Sequence, residues 1–123
     1  MENGVIDMHT HCFPPEVAAD PEGWAASRAE EHWARLVAPG SIQGWADPRT
    51  MLAAMDAAGV GIAVLQGWYW QHEATCEEQR QWNLDWVREA PDRFIAFAPV
   101  QPAAGDLAFD AVRRAVDAGC RGI

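Results

Sequence analysis

The sequence predicts an α/β fold in which short apolar strands alternate with amphipathic helices along one parallel sheet. Three observations predict it. Apolar runs at Val5-Ile6, Gly61-Ile62-Ala63-Val64-Leu65-Gln66 and Phe94-Ile95-Ala96-Phe97-Ala98-Pro99-Val100 are separated by segments with helical punctuation. The second run is nearly continuous in its apolar character. A strand covered on both faces reads that way, which favours parallel over antiparallel pairing. The passage from helix into strand also repeats: Ala57-Ala58-Gly59-Val60-Gly61-Ile62 has the same form as Asp117-Ala118-Gly119-Cys120-Arg121-Gly122-Ile123. Repeating β-α units imply right-handed crossovers, and two closures satisfy them, an eight-fold barrel or an open doubly wound sheet.

Each element follows from local chemistry. The first strand opens at Val5 and runs through Asp7-Met8-His9-Thr10-His11. Cys12-Phe13-Pro14-Pro15 must break it, because tandem prolines cannot continue an inner strand. From Phe13 to Gly44, with prolines at 14, 15, 21 and 39, the chain is too long for an ordinary connection and reads as a lid or insertion, with a short helix expected around Ala25 to Val37. Trp24, Trp33 and Trp45 are expected in local core, Trp33 above all, with an aromatic wall over a ligand pocket as the alternative. Asp47 then caps a helix, Pro48 fits its first turn, Leu52, Met55 and Ala58 form its apolar stripe, and Gly59 ends it.

After the second strand, Gly67-Trp68-Tyr69-Trp70-Gln71-His72 places three rings at the strand's C-terminal end. Thr75 and Glu78 read as the capping box of a helix reaching about Ala90, with Trp82 and Trp86 on its core face. Pro91 stops that helix and Asp92-Arg93 lead into the third strand. Asp106 is expected to cap the last helix, with Val112, Ala115 and Val116 inward and Gly119 past its end. A fourth strand should begin in the closing residues.

Composition bounds the function. Half of the 123 residues are hydrophobic, enough for one core. The formal charge of −9 arises from 18 acidic against 9 basic residues without a basic patch, which argues against nucleic acid and anionic membrane partners. Met1-Glu2-Asn3-Gly4 lacks the start of a signal peptide, and no apolar run approaches a bilayer span, so a cytoplasmic setting is expected. Cys12, Cys76 and Cys120 are odd in number and lack a Cys-x-x-Cys pair, so neither a disulfide framework nor a zinc knuckle is favoured. Cys12 lies beside the histidines, where an ordinary small side chain is favoured over a nucleophilic thiol.

His9 and His11 carry the sharpest chemistry. Side chains at i and i+2 of a strand share a face, so the two imidazoles can serve one ion, and imidazole suits zinc and other first-row metals. The bland alternative is a solvated strand end. Asp7 shares their parity and would either orient a histidine or sit buried on backbone amides. Neither a Gly-x-Gly-x-x-Gly fingerprint nor a phosphate loop follows the first strand, so a nucleotide site is not supported. Donors at strand C-termini lie where a barrel places its active site.

Together, Asp7-Met8-His9-Thr10-His11 with Phe13-Pro14-Pro15-Glu16, Trp45-Ala46-Asp47-Pro48 through Met55-Asp56-Ala57-Ala58-Gly59-Val60 and Ala63-Val64-Leu65, Asn83 with Pro91-Asp92-Arg93-Phe94, and Ala118-Gly119-Cys120-Arg121-Gly122-Ile123 form a series in register. In these residues the chain resembles the amidohydrolase-related metal-dependent family, in the branch of aminocarboxymuconate-semialdehyde decarboxylase and the resorcylate decarboxylases. The resemblance implies a (β/α)8 TIM barrel holding one divalent metal, commonly zinc, at its mouth, with His9 and His11 as first-strand metal ligands. It implies hydrolysis or nonoxidative decarboxylation of a small carboxylate or cyclic substrate. The family's other ligands and its catalytic histidine and aspartate come from later strands, so residues 1–123 are expected to form a partial barrel domain. Its long loop spans 13–46, it is truncated at the start of strand 4, and by itself it lacks a complete active site. A whole barrel takes roughly 200–250 residues.

Such a partial barrel exposes strand edges and an apolar inner face, so its expected partner is a missing C-terminal half or further copies of itself. A truncated, non-catalytic domain stabilised by self-association is the alternative function, and a small two-histidine metal module a weaker one. The carboxylate-binding arginine of the muconate decarboxylase has no counterpart in Pro39-Gly40-Ser41-Ile42-Gln43, which counts against that substrate.

Overall fold

Parallel pairing of three strands organises the computed structural model, which describes residues 4–37 and 44–123. The elements run β1 (Val5–Thr10), α1 (Pro15–Ala19), α2 (Pro21–Ala26), α3 (Glu31–Leu36), α4 (Pro48–Ala58), β2 (Val60–Leu65), α5 (Glu73–Glu89), β3 (Phe94–Ala96) and α6 (Asp106–Ala118), with a 3-10 turn at Pro102–Ala104. Pro39 to Gln43, where the arginine is missing in sequence, lie outside the described residues.

The sheet order is β1-β2-β3 and both pairings are parallel. Ile6 stands opposite Ile62, Asp7 opposite Ala63 and Thr10 opposite Leu65. Three steps along β1 thus match two along β2, a bulge that bends the strand just where it carries His9. Beyond β3, Phe97 bridges Gly122 in parallel, Arg121 N–H donates to Ala96 O at 2.9 Å and Ala98 N–H to Gly122 O at 2.8 Å. The expected fourth strand therefore begins there. The third is shorter than Phe94 to Val100, since its ladder on β2 ends at Ala96 and Pro99 has no N–H to donate. The two matching junctions share one cause: Gly59 and Gly119 end α4 and α6 at φ of 70° and 111°, a region hostile to side chains.

Several expected details shift. Asp47 does cap α4, accepting Thr50 N–H at 2.7 Å, with Pro48 in the first turn. Its apolar stripe is Met51, Leu52 and Met55, whereas Ala58, the last residue of the helix, is exposed. In α6 the buried face is Ala111 and Ala115, and Val116 is 61% exposed, one residue off the inward stripe. Gly105, at φ 60°, precedes α6 as its cap, so Asp106 is the first helical residue, an acid placed well for the helix dipole.

The Thr75–Glu78 capping box does not form. Helix α5 begins two residues earlier, at Glu73, and buries Thr75. Glu78 is committed to Arg28, whose Nε and Nη2 both reach its carboxylate at 2.6 Å. A remote acid, Glu30, fixes the approach to α5, accepting the N–H groups of the two residues ahead of it, Gln71 at 2.8 Å and His72 at 3.1 Å.

The long segment folds as three short helices rather than one across Ala25 to Val37. Ala25 O accepts from Arg28 N–H at 3.0 Å and Glu30 N–H at 2.9 Å, closing a turn through Ala29 at φ 55°. A left-handed alanine costs on the order of 1 kcal/mol. That turn sends the Glu30 side chain into the interior.

The core is aromatic. Trp33 is 0% exposed and meets Trp70 at 5.1 Å, Trp24 at 5.6 Å, and Phe13 and Trp45 at 6.0 Å. Trp82 and Trp86 are buried on α5 as expected. The three tryptophans of the long segment thus weld it to the α/β layer. Replacing Trp33 by alanine should cost about 3–5 kcal/mol. Chemical denaturation should show a midpoint shift of that size or outright loss of the folded baseline.

Candidate metal centre

Backbone pairing delivers the histidines to the rim. Thr10 Oγ1 donates to Val64 O at 2.9 Å, and Gln66 N–H donates to Thr10 O at 2.9 Å, locking the end of β1 to the end of β2. The Gln66 side chain reaches back and donates to Met8 O at 2.8 Å. On this frame His9 closes the strand's exposed stretch and His11 follows in the first loop residues.

The two rings converge. His9 Nε2 and His11 Nε2 lie 3.2 Å apart, with ring centroids at 5.1 Å and planes at 74°. Two nitrogens each about 2.0–2.1 Å from one tetrahedral zinc lie roughly 3.3–3.4 Å apart, so the observed spacing fits a shared ion closely. Asp7 is exposed, and its carboxylate accepts the His9 backbone N–H at 3.1 Å. It neither sits buried nor orients a ring; it steadies the backbone that carries one.

The surroundings of the two rings differ. Trp68 stands edge-on to His11 at 5.0 Å, and His11 is half-buried while His9 is exposed. Burial, reinforced by the neighbouring His9, pulls the His11 pKa below 6.5, with the Gln66 backbone opposing. His11 Nδ1 is buried and has no hydrogen-bond partner. The remaining histidines sit elsewhere: His32 Nε2 contacts Tyr69 O at 3.1 Å, and His72 precedes α5. Among the described residues no group of three or more His, Cys, Asp or Glu side chains is arranged to hold a metal.

Cys12 is buried beside this pair, and burial with the Asp47 charge pushes its thiol up to about 12. A thiol so reluctant to ionise is an inert core side chain. Cys76 and Cys120 are also free and buried.

Sequence reasoning found the histidines and the aromatic cluster but gave Gln66 and Trp68 no role. Gln66 closes an apolar run, and that polar terminus was the available signal. Glu30, in a polar stretch, carried none.

Parallel strands with helices between them, and paired imidazoles at their C-terminal rim, define an α/β unit with a candidate metal site. The sequence model of the amidohydrolase family matches residues 6–123, and the chain belongs to that family, corresponding to an N-terminal portion of its members. No curated protein matches it significantly. The crystal structure of 2,6-dihydroxybenzoate decarboxylase complexed with 2,6-dihydroxybenzoate is similar at a TM-score of 0.64 and 22% identity, covering 97% of this chain and 38% of that one. The 2,6-dihydroxybenzoate decarboxylase from Rhizobium gives 0.66 and 21%, covering 97% and 37%. An amidohydrolase II gives 0.67 and 20%, covering 97% and 39%. At these identities the likeness establishes the shared fold. The chain spans 37–39% of the length of these structures.

Two titrations follow from the burial pattern. In metal-free protein, NMR should find His11 titrating below 6.5, and because the unfolded chain then binds the extra proton first, this histidine withdraws stability as pH falls below 6.5. For Cys12 and Cys76, both held near 12 against an ordinary 9.0, the unfolded chain loses protons that the folded one keeps. Stability measured by denaturant titration should therefore fall as pH rises above about 9.

Proposed function

We propose that this chain contributes the first-strand half of the metal centre of an amidohydrolase-related enzyme, one that hydrolyses or nonoxidatively decarboxylates a small carboxylate or cyclic substrate. His9 and His11 hold the divalent ion, for which zinc is the expected identity. The observation that carries this reading is the convergence of the two Nε2 atoms to 3.2 Å at the C-terminal ends of parallel strands.

When bound, a divalent ion there supplies Lewis acidity, lowering the pKa of a water or polarising a carboxylate or carbonyl oxygen. The residues of this chain do the rest of what is described. His9 and His11 present their Nε2 atoms, and burial, by holding the His11 pKa below 6.5, disfavours a competing proton on that ring. Trp68 excludes water from one side of His11. Gln66 and Thr10 fix the strand ends that set the ring separation.

The family membership and the decarboxylases among the structural relatives support the reaction class. Two imidazoles are fewer than the three or four protein ligands of a stable zinc site. Further donors and the proton-transferring groups therefore come from outside the described residues, and the 123-residue chain alone should show no turnover. Val5, Ile6 and Met8, 49–60% exposed on β1, support a partner that covers this strand, either the rest of such a barrel or a second copy. The three free buried thiols accord with a reducing, cytoplasmic setting. No helix among the described residues is long and apolar enough to cross a membrane.

Metal analysis after equilibration with zinc should show most of the bound ion lost in the His9→Ala, His11→Ala double variant. Equal zinc in both proteins would remove the assignment.

A further inference from the structure

Among the described residues, Glu30 is the acidic side chain with no solvent exposure at all, and it lies far in sequence from what it touches. Its Oε2 accepts Gln71 N–H at 2.8 Å and its Oε1 accepts His72 N–H at 3.1 Å, 41 and 42 residues away. Neighbours of Glu30 grip the same region. His32 Nε2 reaches Tyr69 O at 3.1 Å, and Arg28 pairs with Glu78. The segment 28–32 therefore meets the loop between β2 and α5, and the first turns of α5, at several consecutive points.

That loop is held at its other end by a second buried side chain. Gln79 Oε1 accepts both Trp68 N–H at 2.8 Å and Trp70 Nε1–H at 2.6 Å. Trp70 is clamped between Trp24 and Trp33, at 5.4 and 5.1 Å. Of the loop's rings it is Trp68, its own N–H held by Gln79 and Tyr69 stacked on it at 5.3 Å, that stands edge-on to His11, while Glu30 grips the residues three and four positions further on.

Burying a carboxylate costs several kcal/mol unless it is well bonded. Starting α5 does not require that expense, since a helix can be capped by a local side chain. A left-handed alanine and a fully buried acid make physical sense when the loop must also be held in one register.

We propose that Glu30 is a positioning residue for the metal site, fixing the β2–α5 loop so that Trp68 packs against His11. The segment after β1 is thereby part of the site's support rather than a surface insertion. The functional weight of this inference rests on the metal-binding role proposed for His11, but its geometry stands apart from it.

The test is NMR on the metal-free full chain, reading the nuclear Overhauser contact between the Trp68 indole and the His11 ring. Glu30→Ala should abolish that contact. Arg28→Ala, which cuts the adjacent tie to α5 without touching the loop amides, should leave it. Should Glu30→Ala not fold, Glu30→Gln retains the volume but turns an amide N–H2 toward one backbone N–H, and should weaken the contact at least severalfold. In the folded variant, zinc affinity should fall about 10-fold or more, as for residues that orient metal ligands. A Trp68–His11 contact of undiminished intensity in the Glu30 variant overturns the proposal. Zinc binding indifferent to His9→Ala, His11→Ala would instead overturn the metal reading, whatever Glu30 does.

Discussion

The pairing of β1 with β2 is the constraint on which the rest hangs. In a parallel ladder both strands deliver their C-terminal ends to the same rim, so whatever chemistry ends β1 meets whatever follows β2. Here that brings His9 and His11 to Gln66 and Trp68. The register shift between Asp7 and Thr10 modifies the simple alternation of side chains, yet the rings still converge because His11 has already left the strand and turns back toward His9. An antiparallel pairing would have sent β2 away from the histidines and left the aromatic loop at the opposite end of the sheet.

The second constraint is the segment between β1 and α4. Short helices of five or six residues cannot stand by themselves in water, so their stability must come from packing. It comes from indole rings: Trp24 and Trp33 from this segment lie against Trp70 and Trp82 from the α/β layer, with Arg28 stacked 4.2 Å over Trp24. Hydrogen bonds then add direction to that adhesion. Phe13 N–H donates to Ala46 O at 2.9 Å, tying the segment's start to its end. A long insertion becomes a fixed wall by this combination of area and orientation.

Legibility in the sequence followed the range of the interactions concerned. Features set by nearest neighbours were readable: the Asp47-Pro48 start and Gly59 end of α4, the apolar run of β2, the Pro91 stop, and the paired glycine junctions. The histidine pair was readable as a motif of three residues, although the rings meet because His11 lies past the end of β1 rather than through a strand's period of two. Features decided by competition between distant groups were not. Thr75 and Glu78 have the spacing of a capping box, but Arg28, fifty residues away, claims Glu78, and Thr75 lies inside a helix that has already begun at Glu73, its N–H donating to His72 O. The continuous helix expected from Ala25 to Val37 is broken at Ala29, whose left-handed turn separates α2 from α3 just ahead of the buried Glu30. Val116 shows the remaining error, one residue of helical phase, which the pattern of a thirteen-residue helix cannot fix without knowing what lies opposite.

The asymmetry between the two histidines carries a last consequence. His11 is screened by Trp68 and its loop, while His9 and the adjoining Val5, Ile6 and Met8 remain open to water. Electrostatic interactions with a bound cation strengthen as water is removed, so a site dried from one side only is half-organised. Additional donors cannot enter past Trp68, whose backbone is pinned by Gln79 and whose loop is pinned by Glu30. On the proposed metal-binding role, further donors would approach from the side of β1, where Val5, Ile6 and Met8 are exposed. The same covering that buries Val5, Ile6 and Met8 would then enclose His9 and bring its own donors within reach of the imidazole pair.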